Sequence, residues 1–129
     1  MFYEIWQKFR LWMVSTADQT PLYIFLDDER RPNKSNWLVV RNPEDMIDLI
    51  LLKWNHIIAI SLDHDLGHRL TGYDVMKVIE EHAVTNNVPV PFRISVHSAN
   101  PAGRQNILRC IRSLYAKGLY IFSNINGEQ

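Results

Sequence analysis

Three polar groups interrupt the apolar runs of this chain: Asp27-Asp28, Asp63-His64-Asp65 and His97-Ser98-Ala99-Asn100. Each follows a stretch of strand composition, Leu22–Leu26, Ile57–Leu62 and Phe92–Val96. Carboxylates brought together from neighbouring strand ends repel one another unless they are protonated or neutralised, and a divalent cation is the simplest neutraliser. Oxygen ligands from Asp27, Asp28, Asp63 and Asp65 favour Mg²⁺ or Mn²⁺; an imidazole turned inward would suit Mn²⁺, Fe²⁺ or Zn²⁺. His64 and His97 carry the side chain whose ordinary pKa lets it give and take protons near neutrality. With Asp63 beside them, one could deprotonate an attacking water while the other protonates a departing alkoxide, as hydrolysis of a phosphate ester or cyclic phosphate requires.

The structural alternative is that the acids are turn formers or helix caps, and that each histidine only hydrogen-bonds its loop. Three acids at the matching ends of two strands that should be neighbours weigh against it for Asp27, Asp28 and Asp63. Asp65 is the more turn-like, before Leu66-Gly67, Asp74 fits a capping box, and His56, His68 and His82 look peripheral.

A phosphate would need its own partners. Ser98, Asn100, Gly103 and Arg104 sit at the start of a helical pattern, where free N–H groups and the helix dipole favour negative charge. Arg30, just after the acidic pair, either binds phosphate or balances the acids. Beyond Glu81 the sole acid is Glu128, against Arg93, Arg104, Arg109, Arg112 and Lys117, so a neutral total hides a basic carboxyl-terminal half.

The elements that must position these residues alternate. Strands are expected at Leu22–Leu26, Trp37–Val40, Ile57–Leu62, Phe92–Val96 and Leu119–Phe122. Helices are expected from the Asn42-Pro43 cap to Trp54, from the Thr71–Asp74 capping box to Asn86, and from Asn100-Pro101 to Gly118. The last carries Ile107, Leu108, Ile111, Leu114 and Tyr115 on one stripe. This order predicts an α/β three-layer sandwich around a mostly parallel five-stranded sheet, with right-handed crossovers. Residues 27–36 have about the minimum length of a crossover and no helical pattern, so a loop or a degenerate helix is expected there. In an open parallel sheet, ligands bind at the carboxyl ends of the strands, where the three polar groups fall.

The 129 residues suit one domain, with 14 Lys+Arg balancing 14 Asp+Glu. That balance argues against a non-specific nucleic-acid binder or a polybasic membrane binder, which gain affinity from a basic excess. The lone Cys110 excludes an internal disulfide and points to a reducing, cytoplasmic setting. No run approaches the roughly 18 to 20 apolar residues of a membrane span. Phe2, Ile5, Trp6, Phe9, Trp12 and Met13 recur at helical spacing, interrupted by Glu4, Lys8 and Arg10. Residues 1–20 are therefore expected to form an amphipathic helix and connector ahead of a domain at 21–129. That helix would dock on the domain, mediate self-association or lie on a membrane surface.

Four blocks carry a family resemblance: LDDERRP at Leu26–Pro32, SLDHDLG at Ser61–Gly67, Thr71-Gly72-Tyr73-Asp74, and HSANPAGRQN at His97–Asn106. Through them the chain, from about Leu22 to Arg112, resembles the cyclic-phosphate processing receiver-like family. The resemblance implies a receiver-type (flavodoxin-like) fold and a role in processing cyclic phosphate termini or related nucleotides. By motif, Asp27 and Asp28 match the acidic pair that holds Mg²⁺ in receiver domains, and Asp63 matches their phosphoryl-accepting aspartate. Three features depart from a phosphorelay receiver: no lysine follows Leu119, His97 stands near where a serine or threonine would end the fourth strand, although Ser98 follows it, and the helix after the first strand is missing from the pattern. The expected function is thus a metal-dependent phosphoesterase acting on a 2′,3′-cyclic RNA end or a small cyclic nucleotide. The alternative is a non-enzymatic receiver-like signalling or partner-binding module.

Overall fold

The computed structural model describes residues 21–122. The expected leader helix, and any self-association through it, lie outside the described residues. Four parallel strands, β1 (Leu22–Leu26), β2 (Leu38–Val40), β3 (Ile57–Leu62) and β4 (Arg93–Val96), form one sheet in the order β2-β1-β3-β4. The helices are α1 (Pro43–Leu52), α2 (Gly72–Asn86) and α3 (Pro101–Ala116). None of the described helices is long and apolar enough to cross a membrane.

Local signals set the helix starts. The Asn42 side chain accepts from the Asp45 amide ahead of Pro43, and Asn100 does the same for the Gly103 amide ahead of Pro101. Thr71 and Asp74 form the full reciprocal capping box of α2. Alternation along the strands sends Ile24 and Leu26, Ile60 and Leu62, and Ile94 and Val96 into one apolar core with Met46, Leu49, Val75, Met76, Ile79, Ile107, Ile111 and Leu114 from the helices. Cys110 is buried in the same core, whereas Tyr115 is 51% exposed and leaves the predicted stripe.

The sheet order accounts for the layering. The chain steps from β1 outward to β2, then returns past β1 to β3 and onward to β4. Right-handed crossovers place the connections that run in this second direction on one face. In keeping with this, α1 packs on α2 and α2 on α3. The opposite face would take a helix between β1 and β2, where the chain has the loop 27–37 instead. Among the described residues, then, the expected three layers are a sheet and a single helical layer.

The expected fifth strand is also replaced. Leu119–Phe122 has no strand pairing. The Val90 amide donates to the Leu119 carbonyl at 2.8 Å, and the Ile94 amide on β4 donates to the Tyr120 hydroxyl at 3.1 Å. Tyr120 is 1% exposed. Its side chain, rather than a strand backbone, therefore satisfies that amide, because an apolar ring with a polar tip fills the space beside β4.

Candidate functional site

The registers bring the strand ends level. Leu26 pairs with Leu62, and Leu62 with Val96. Asp27, Asp63 and His97 follow these residues directly, so three stretches distant in sequence emerge side by side. One ligand atom from each of the three lies within 4.8 Å of the others. Beside them opens a cleft of about 410 Å³ lined by Asp27, Asp28, Glu29, Arg30, Asp63, Asp65, Gly67 and Ala99.

Asp27 is 1% exposed and fully engaged. Its Oδ1 accepts from the backbone amides of Glu29 (2.9 Å) and Arg30 (2.7 Å), and its Oδ2 accepts from His97 Nε2 (3.0 Å) and Arg30 Nε (3.1 Å). Burial works against the charged form, but the amides of Arg30 and Glu29, the His97 N–H and the Arg30 charge outweigh it. Together they hold the carboxyl below the usual range. Arg41 ties the same loop from outside, its Nη1 donating to the carbonyls of Asp27 (3.0 Å) and Arg30 (2.9 Å).

His97 is sandwiched. Its ring stacks on Phe25 at 4.1 Å between centroids and 9° between planes, and its Nδ1 lies 2.7 Å from Ser61 Oγ. Burial pushes its pKa below the ordinary imidazole value, against the pull of Asp27. A neutral ring facing a carboxylate must present N–H there. This assigns the proton to Nε2, donating to Asp27, and leaves Nδ1 to accept from the Ser61 hydroxyl.

Arg30 spans both acids: besides Asp27, its Nη2 lies 3.6 Å from Asp63 Oδ2. Two carboxylates thus share one guanidinium, and a net negative charge remains. A further cationic charge suits this donor set. The two carboxylates fit a divalent cation of the Mg²⁺ or Mn²⁺ class, with Arg30 standing in for part of its charge and the His97 N–H orienting Asp27.

The remaining expected residues divide. Asp28 is exposed and lines the cleft, as does Asp65, whose carboxylate accepts from Asn100 Nδ2 at 3.2 Å; neither joins the tight group of Asp27, Asp63 and His97. His64 turns away from that group. Its ring packs on Gly103, where any Cβ would overlap it, its Nδ1 is buried without a partner, and its Nε2 lies 4.0 Å from Asp65 Oδ1.

The predicted phosphate cradle is satisfied within the chain. Ser98 Oγ accepts from the Asn100 amide (3.1 Å), and the Asn100 side chain caps the Gly103 amide (3.0 Å). Arg104 Nη1 donates back to the Val96 carbonyl (2.9 Å). The structure therefore gathers Asp27, Asp63, His97 and Arg30, while Ser98, Asn100, Gly103 and Arg104 build the first turn of α3 against the strand ends.

Sequence reading missed three supporting residues. Phe25 and Ser61 each lie two positions before a site aspartate, so strand alternation puts them on the same face, a signal that was present. Arg41 gave none, because its contact depends on how the loop 27–37 returns.

A family model described as cyclic-phosphate processing receiver domain matches residues 22–113. No curated protein and no solved structure gives a match.

Proposed function

Because the chain belongs to the cyclic-phosphate processing receiver domains, we propose that it hydrolyses a 2′,3′-cyclic phosphate, at an RNA end or on a free nucleotide, in the cleft beside Asp27 and Asp63. The observation that carries this reading is the convergence of Asp27, Asp63 and His97 within 4.8 Å at the carboxyl edge of the sheet. Zero net charge fits a substrate caught locally by its phosphate rather than along a polyanionic backbone.

Asp27 and Asp63 would hold a divalent cation, with His97 orienting Asp27. When bound, such a cation polarises the phosphoryl group and stabilises the charge that builds on it. In the reaction, water adds to phosphorus, one ribose oxygen–phosphorus bond breaks, and the freed ribose oxygen takes a proton. His97 is committed to Asp27 and Ser61, so proton transfer falls to His64. On turning from Gly103 toward the cleft, that ring would take the proton of the attacking water, while the departing oxygen would take a proton from solvent. Its position beside Asp65, which lines the cleft, supports the role. Asp28 and Asp65 then bound the substrate's entrance.

The test is turnover of 2′,3′-cyclic AMP by the purified protein with Mg²⁺ or Mn²⁺. Expected are activity that chelation removes, a fall of about 100-fold or more in His64→Ala from loss of acid–base catalysis, and a comparable fall in Asp27→Asn. Absence of turnover, or turnover that survives both substitutions, overturns the reading.

A further inference from the structure

Arg30 presents a conflict that its surroundings resolve. Its guanidinium bridges Asp27 Oδ2 (3.1 Å) and Asp63 Oδ2 (3.6 Å), the same oxygens a cation would need. Yet its side chain is 54% exposed, while those of Asp27 and Asp63 are 1% and 6% exposed. The acids are fixed and buried; the arginine reaches over them from the solvent side. Its backbone does not depend on this reach. The Arg30 amide is held by Asp27 Oδ1 and its carbonyl by Arg41, so the loop stays anchored if the guanidinium leaves.

Resting on the phosphoesterase reading, we propose that Arg30 is a displaceable counter-ion: a divalent cation taking Asp27 and Asp63 evicts its guanidinium, which then holds a phosphate oxygen in the cleft. The physical reason is exclusion. A guanidinium and a doubly charged cation cannot share the same carboxylate oxygens without strong repulsion at a few ångströms. Once released, Arg30 still lines the cleft. Its planar fork, no longer neutralised by the acids, matches two oxygens of a phosphate. Before the cation arrives, the same fork is occupied and the cleft is a poor anion site. Cation and phosphate therefore bind with positive coupling, each raising the affinity for the other by the same factor.

Mn²⁺ binding followed by electron paramagnetic resonance separates the alternatives without reference to turnover. Arg30→Gln, with the competitor gone, is expected to bind Mn²⁺ about tenfold tighter than wild type, a change equal to about 1.4 kcal/mol. Arg30→Lys keeps the charge without the bridging fork and is expected to fall between them. Arg31→Gln removes the same charge one residue away and controls for general electrostatics; it is expected to stay near wild type. With adenosine 3′-monophosphate as the anion probe, wild type is expected to bind more tightly when Mg²⁺ is present, and Arg30→Gln to lose that gain. If Arg30→Gln binds Mn²⁺ no better than wild type, or if Arg31→Gln improves binding equally, the counter-ion role is wrong while the metal site stands. If neither wild type nor Arg30→Gln binds Mn²⁺, the phosphoesterase reading falls and this inference falls with it.

Discussion

His97 Nε2 donates to Asp27 Oδ2 across 3.0 Å, joining residues 70 positions apart in the chain. The pair locks the end of β4 to the end of β1 across β3, and it decides what each residue is able to do. Asp27 gains a buried N–H donor that stabilises its charge. His97 gains an orientation and gives up both ring nitrogens to fixed partners.

Removing the carboxylate should be felt throughout this edge. In Asp27→Ala the His97 N–H and the amides of Glu29 and Arg30 lose their acceptor inside a buried site. Unfolding in urea, without metal, is expected to show a loss of about 2 to 3 kcal/mol. An unchanged midpoint would show that the loop 27–37 draws its order from elsewhere.

Ser61 acts on the site through His97. In Ser61→Ala the imidazole loses its Nδ1 partner and with it the constraint on its tautomer, as when an outer partner of a functional histidine is removed. Turnover is expected to fall about tenfold with KM nearly unchanged, and Ser61→Thr to restore much of the loss. The split between kcat and KM, together with the rescue, distinguishes positioning from simple destabilisation.

Two glycines are fixed by close approach. A Cβ at Gly103 would run into the His64 ring, and one at Gly72 would run into the Asp63 carbonyl. The first obstacle is a side chain that can turn; the second is backbone. Gly103→Ala is therefore expected to cost about 1 to 3 kcal/mol by overpacking and to shift the His64 ring resonances in NMR spectra. Gly72→Ala is expected to be the more damaging of the two, displacing the Asp63 loop. The opposite order in thermal unfolding would contradict the packing described for this edge.

The capping box of α2 gives a pH dependence. Burial disfavours the Asp74 carboxylate, but the Thr71 amide, Lys77 and the Thr71 hydroxyl outweigh it, so its pKa lies below the ordinary 3.8. A carboxyl whose folded pKa is depressed binds its proton more readily when unfolded. Its stabilisation is present above about pH 4 and is lost as pH falls below that value toward the folded pKa. Asp74→Asn should remove about 1 kcal/mol at neutral pH, as loss of a cap does, and lessen the acid-induced fall in stability. If the acid limbs of the two proteins run parallel, Asp74 is not one of the groups that set it.

Much of this molecule is legible in its chain. The acids at Asp27 and Asp63 close runs of strand residues, Asn42-Pro43 and Asn100-Pro101 start helices, and Thr71 with Asp74 forms a cap. Each is a contact or preference spanning only a few residues, so the sequence carries it directly. The edge of the sheet where chemistry collects follows from the same signals, because parallel strands align their carboxyl ends.

Tertiary structure decided which way the side chains turn. His64 and His97 read alike as strand-end imidazoles, yet one packs on Gly103 and the other is clasped between Phe25, Ser61 and Asp27. Arg30 could balance acids or hold phosphate on sequence grounds; folding set it across Asp27 and Asp63. Leu119–Phe122 has strand composition, but Tyr120 reaches the Ile94 amide through its hydroxyl, and no strand pairing forms. In each case the outcome rests on packing and hydrogen bonds between residues remote in the chain, and only the folded chain brings those partners within reach.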